Sequence, residues 1–185
     1  MIIGIAGTLG AGKGTVVEYL KEKGFQHYSV SGYLKSVLDE RGLPADRPHL
    51  SAQADEFDAE YEGGVLEVIY NKMQSELGED FILESIHRVS EAEYLRSVGA
   101  MILGVTAEPR VRYERTSKRQ EGEKDNVTYE DFLESIAREE EGKGTGTPNI
   151  KAVLEGADVV LNNDSSLEEL HKQIETFLKQ HESNS

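Results

Sequence analysis

The sequence predicts an α/β protein, a parallel β-sheet covered by helices on both faces. Three observations carry that prediction. Short β-branched or apolar runs alternate with longer stretches of helical periodicity along the chain. The first apolar run leads straight into a glycine-rich stretch and then a helical pattern. The 185 residues fit one compact domain with a sizeable core. No internal repeat or low-complexity segment interrupts the alternation.

Taken in order, the strand candidates are Ile2–Ala6, His27–Val30, Asp80–Ser85, Met101–Thr106 and Asp158–Asn162. Between and after them lie helix candidates at Gly14–Lys23, Tyr33–Arg41, Leu50–Glu60, Val65–Leu77, Glu91–Val98, Pro109–Gln120, Tyr129–Glu141 and Leu167–Gln180. Pro109 suits a first helical turn, where its missing N–H costs nothing. Leu167, Leu170, Ile174, Phe177 and Leu178 form an apolar stripe at helical spacing. Glu141–Pro148 ("EGKGTGTP") reads as a loop.

Composition narrows the function. Hydrophobic residues make up 37% and charged residues 30%, and no apolar run approaches the ~20 residues that cross a bilayer. Met1–Ala6 is too short, and lacks the basic flank, for a secretory signal. The absence of cysteine excludes disulfides and thiolate metal sites. These features predict a cytoplasmic protein with no membrane partner. A formal charge of −15 argues against a nucleic-acid polymer as partner, because the phosphate backbone would be repelled. An anionic substrate therefore needs a local cluster of the 20 Lys and Arg residues.

The glycine-rich stretch supplies such a point. Gly7-Thr8-Leu9-Gly10-Ala11-Gly12-Lys13-Gly14-Thr15 fits G-x-x-x-x-G-K-x-T. Glycines let successive backbone N–H groups turn inward around a phosphate, and the helix that follows adds its positive end. Lys13 reaches the outer phosphates, and a nearby hydroxyl, here Thr15, can ligate Mg²⁺. The stricter pattern has Ser or Thr directly after the lysine, where this chain has Gly14. Gly7, Gly10, Ala11, Gly12, Lys13, Gly14 and Thr15 are the expected nucleotide-binding residues. This loop is expected to bind a nucleoside triphosphate, with ATP and Mg²⁺ as the cofactor pair.

The Gly-Lys-Gly-Thr variant resembles the loop of adenylate kinase and related nucleoside monophosphate kinases. That resemblance runs from Met1 to about Leu178. It implies a P-loop kinase fold: five parallel strands ordered 2-3-1-4-5, in a single domain with an acceptor flap over about 32–77 and a short lid over about 115–148. Where the family has Gly-Asp-x-Leu-Arg, this chain reads Gly32-Tyr33-Leu34-Lys35. Lys35 then stands in for the arginine as a point charge without its fork, or is a solvated lysine. Phe81-Ile82-Leu83-Glu84-Ser85-Ile86-His87-Arg88 resembles the family's Asp-Gly-Phe-Pro-Arg stretch. Glu84 takes the aspartate's place and Arg88 that of the arginine gripping the acceptor phosphate. A carboxylate at that strand end can hold Mg²⁺ or orient the acceptor oxygen. His87 is either a substrate contact or a hydrogen-bonded surface histidine. Arg47 and Gln53 are flap candidates for base or phosphate contacts.

Five basic residues crowd the Arg110–Arg119 stretch of this acidic chain. Arg112, Arg115 and Arg119, three and four apart, share one helix face. The stretch resembles the Arg-x-x-x-Arg run leading into the lid of nucleotide kinases, with Arg115 and Arg119 in the two places, and Arg138 resembles a further lid arginine. Ala157–Leu170 resembles the last strand and helix of dephospho-CoA kinase and of archaeal adenylate-kinase-like proteins, which implies that Asn162 and its loop lie near the adenine base. Three functions follow as expectations. The first is an ATP- and Mg²⁺-dependent kinase acting on a small phosphate-bearing metabolite, a nucleoside or deoxynucleoside monophosphate. The second is a dephospho-CoA kinase-like activity, against which the missing flap aspartate counts. The third is a nucleotide-dependent switch without a small-molecule acceptor.

Overall fold

The computed structural model describes residues 1–76, 80–119, 128–140 and 149–181. Five parallel strands form the sheet: β1 (Ile2–Gly7), β2 (Gln26–Ser29), β3 (Phe81–Ile86), β4 (Met101–Thr106) and β5 (Val159–Asn162). Their order is β2-β3-β1-β4-β5, as the resemblance implied. The first helix, α1 (Lys13–Glu22), carries the chain from β1 past β3 to the edge strand β2. The chain leaves β3 in the other direction, toward β4. The carboxyl ends of β1 and β3 therefore flank the point where strand order reverses, the place where open α/β sheets bind ligands.

Two apolar layers bury the sheet. On one face Val16, Val17 and Leu20 of α1 meet Leu170, Ile174, Phe177 and Leu178 of the last helix over Ile3, Ile5, Leu103 and Val105. On the other, Leu66, Ile69, Ala92, Leu95 and Val153 cover Leu83, Ile86 and Ile102. That second layer is built by α2 (Val30–Glu40), α3 (Arg47–Glu60), α4 (Gly64–Glu76), α5 (Val89–Ser97) and α8 (Ile150–Glu155). Helices α6 (Pro109–Arg119) and α7 (Tyr129–Glu140) pack together above the sheet end, with the Tyr113 ring 5.3 Å from Tyr129 and 5.5 Å from Phe132. The last helix is α9 (Leu167–His181).

Two expectations need correction. Val30, read as the end of a strand, is the first residue of α2, because the Ser29 side chain accepts from the Gly32 amide and caps the helix there. Helix α8 was not expected at all. Its six residues are capped by Asn149, which accepts from the Ala152 amide at 3.1 Å, and Ile150 and Val153 bury one side of it. Residues 120–127 and 141–148 of the expected lid, with Leu77 of the expected flap, lie outside the described residues.

Candidate functional site

The site is assembled from the carboxyl end of β1. The backbone at Gly12 turns left-handed, with φ +102°, and α1 begins at the next residue. A Cβ at Gly12 would collide with the Asn163 amide nitrogen, so both backbone sign and space require glycine. Lys13 folds back over the loop, its Nζ donating to the Gly7 carbonyl at 2.6 Å and the Thr8 carbonyl at 3.1 Å. An ammonium at the start of a helix is the kind of arrangement that can receive phosphate oxygens. The glycine geometry fits a nucleotide's phosphates. Ala11 is fully buried beneath the loop, Gly14 is exposed, and Thr15 lines an open cleft between α1 and α9 with Leu167 and His171.

Glu84 approaches from β3. The pairing of β1 with β3 slips there, Ile5 facing Glu84 and Ala6 facing Ile86, so Ser85 is the extra residue of a bulge. Ser85 has φ +75°, a conformation that favours glycine, and it stands where the resembled family has glycine. Non-glycine residues pay for such angles, and the strain clusters at functional sites. Glu84 Oε1 lies 3.4 Å from His27 Nε2, reached from β2. The nearby His27 imidazole, and then the charge of Lys13, hold the Glu84 carboxyl below its ordinary range. Glu84 is thus ionised at neutral pH within the electrostatic reach of the loop lysine. Glu84 and the Thr15 hydroxyl are hard oxygen donors, the donor type that suits Mg²⁺.

His87 and Arg88 follow. Burial first, then the positive charges of Lys13 and Arg88, push the His87 imidazole from 6.5 down to about 4, so it is neutral at pH 7. Its carbonyl accepts from the Asn149 amide at 2.7 Å, tying the start of α8 to the end of β3. Arg88 caps α5 and pairs through Nη1 with Asp58 of α3 and with Glu91, the latter at 3.5 Å. The structure therefore brings Lys13, Glu84, His87 and Arg88 to one end of the sheet, but with Arg88 already engaged. Lys35 and Arg47 are exposed on α2 and at the start of α3. Gln53 is 3% exposed and donates to Glu56 at 3.1 Å.

On the opposite side, Arg115 Nη2 donates to the Asn163 carbonyl at 2.9 Å, joining α6 to the loop after β5. The side chains of Arg119 and Arg138 lie outside the described residues. Asn162 is exposed, and its side chain accepts from the Asp164 amide at 3.0 Å in a local turn clamped by Gln173. The neighbouring Asn163 was missed. It is 7% exposed, and its Nδ2 donates to the Ala11 carbonyl at 2.8 Å, bracing the phosphate loop from beneath. Arg112, which the helical spacing places on the basic face, is only 5% exposed and buried beside Thr8. The one available signal for Asn163 was a polar residue at a strand end that the fold had to bury, since buried amides are almost always bonded. Asn163→Ala is expected to cost about 1–3 kcal/mol in urea unfolding, because it strands a buried carbonyl. An unchanged midpoint would show the brace to be dispensable.

Comparison with known proteins agrees with this architecture. A family profile described as an AAA domain matches residues 3–141. A UPF0200 protein of Sulfurisphaera tokodaii is 31% identical over 180 residues, which cover 96% of each chain. Among solved structures, a Thermus thermophilus protein superposes with a TM-score of 0.65 at 20% identity, covering 98% of this chain and 97% of that one. Shikimate kinase from Aquifex aeolicus does so at 0.61 and 16% identity, covering 100% of each. At such identities the two structures show a shared fold. Among the described residues no helix is long and apolar enough to cross a membrane.

Proposed function

This chain belongs to the AAA-domain and UPF0200 families, P-loop NTPases of kinase-like fold, and from that premise we propose that it is an ATP- and Mg²⁺-dependent phosphotransferase. Its acceptor is a small phosphate-bearing metabolite, a nucleoside or deoxynucleoside monophosphate. The observation that carries this reading is Lys13 set over a glycine-shaped loop with an ionised carboxylate, Glu84, beside it on the adjacent strand end.

In this reading Lys13 and the loop amides bind the donor phosphates, and Gly7, Gly10, Ala11, Gly12, Gly14 and Thr15 shape the cradle. Thr15 and Glu84 are the oxygens that this chain offers to Mg²⁺, which would neutralise phosphate charge when bound. Arg115, Arg119 and Arg138, on or beside a lid over about 115–148, balance charge on the transferring group. Asn162 and its loop border the base. Lys35, Arg47, His87 and Arg88 face the acceptor, which a flap over about 32–77 encloses. Phosphoryl transfer of this type needs placement and charge more than covalent help from the protein.

A second reading, transfer to a hydroxyl as in a dephospho-CoA kinase-like reaction, is favoured by one feature. Arg88 is committed to Asp58 and Glu91, whereas Glu84, ionised beside His27, is a carboxylate that can accept a hydrogen bond from an acceptor hydroxyl. Both readings are tested by ADP release from Mg·ATP against ribo- and deoxynucleoside monophosphates, dephospho-CoA and a blank without acceptor. Stimulation by a monophosphate is the expected result. Stimulation by dephospho-CoA alone selects the second reading. ATP binding with a flat panel points to a nucleotide-dependent switch.

A further inference from the structure

Arg88 stands at the carboxyl end of β3, four residues beyond Glu84, and His87 between them feels the positive charges of both Lys13 and Arg88. The side chains of Arg88 and Asp58 keep 22% and 20% of their surface open, so the pair borders the space between α3 and the sheet end. The pairing is incomplete. A carboxylate and a guanidinium at their best form two parallel hydrogen bonds. Here a single nitrogen, Nη1, serves both Asp58 Oδ2 and Glu91 Oε1. Arg88 Nε and Asp58 Oδ1 are buried without a hydrogen-bond partner. Glu91 has its other oxygen committed to the backbone, accepting from the His87 and Arg88 amides at 2.8 and 3.0 Å, and so belongs to the cap of α5.

Asp58 reaches this place from the flap. Its Oδ1 rests against the α-carbon of Gly64, where any Cβ would overlap it and where φ is +57°. The carboxylate is therefore received in a notch that only glycine leaves open. Around it the flap is strongly anionic, with Asp55, Glu56, Asp58, Glu60 and Glu62 between positions 55 and 62. The acidic wall repels a phosphate, but the Arg88 guanidinium attracts it, and there Asp58 holds the arginine only through a one-nitrogen pairing that Glu91 shares. A phosphate dianion carries more charge and more acceptor oxygens than this carboxylate, so it is the stronger partner for the same guanidinium.

We infer that Asp58 is an internal stand-in for the acceptor's anionic group: it occupies Arg88 when the flap is empty and yields it to a phosphate-bearing acceptor. Asp58 thereby sets a threshold, since only a ligand with a phosphate displaces it. The inference rests on the monophosphate reading above and makes Asp58 a specificity-determining residue of that site.

The test is calorimetric binding of each ribo- and deoxynucleoside monophosphate, and of the matching unphosphorylated nucleosides, to wild type and D58N. The phosphate loop is kept saturated with ADP, and thermal melting checks the fold. D58N is expected to bind at least one monophosphate about ten-fold more tightly than wild type, one tenfold step being about 1.4 kcal/mol. No nucleoside should gain. The double variant D58N/R88Q should lose the gain. D58S repeats the experiment should D58N fail to fold. A folded Asp58 variant that binds every monophosphate no better than wild type overturns the inference and makes the pair a structural tie. Failure of the kinase reading shows elsewhere, as wild type that binds ATP yet releases no extra ADP with any acceptor.

Discussion

Lys13→Ala is expected to lower acceptor-stimulated turnover by about 10²–10³-fold, the range found when one preorganised donor is removed from a developing anion. The argument begins with charge. A chain of formal charge −15 offers a triphosphate little long-range attraction, so binding must be won locally. At the loop that local charge is the Lys13 ammonium, assisted by the start of α1. Because the transferring group gains its charge distribution in the transition state, the lysine's loss should reduce kcat as well as affinity. The fold should scarcely notice. Nζ donates to the carbonyls of Gly7 and Thr8 within the loop itself, away from the apolar layers that hold the sheet. Steady-state kinetics beside thermal melting separates the two effects. Turnover equal to wild type in a folded K13A protein would overturn the phosphotransferase reading.

The parts of this molecule governed by local chemistry were legible in the sequence. The strand Ile2–Gly7, the glycine turn and the start of α1 follow from an apolar run, three positive-φ glycines and a helical pattern within twenty-two residues. The ladder of β4 was equally plain, as was the stripe of α9 except at Leu167, which the structure leaves 55% exposed at the helix start while Leu170, Ile174, Phe177 and Leu178 are buried. What escaped depends on contacts between distant segments. Helix α8 is too short for periodicity to declare itself, and it holds because Asn149 caps it and two side chains find the sheet. Asn162 and Asn163 are adjacent and chemically identical. The pleat of β5 decides which faces solvent and which reaches Ala11, 152 positions away. Arg88 reads as a free phosphate ligand until the fold delivers Asp58 to it from thirty residues upstream. Ser85 marks the reverse case: it departs from the resembled pattern in residue type, yet its backbone takes the angle that the pattern's glycine would take.

Glu84→Gln tests the other charge of the site. The substitution keeps shape and hydrogen-bonding length but removes the negative charge, so it isolates what the ionised carboxyl does. Glu84 is held below its ordinary range, first by His27 and then by Lys13. A group depressed in the folded state contributes stability above its unfolded pKa and loses it as pH falls through the folded one. Wild type should therefore keep the charge at neutral pH and lose it only at a pH below the usual carboxylate range. E84Q should be insensitive to that acidic step, while near neutral pH its melting temperature falls slightly through the loss of the His27 and Lys13 attractions. Turnover should fall by about 10²–10³-fold, the scale of removing one charge aimed at a phosphoryl group in flight. The Mg²⁺ concentration for half-maximal rate should rise, and nucleotide affinity measured without metal should stay near that of wild type or improve, since an anion has left the phosphates' neighbourhood. The pattern of effects is the discriminating result. A residue that only supported β3 would lower stability and leave both kcat and the Mg²⁺ requirement where they were, and that outcome would remove Glu84 from the chemistry.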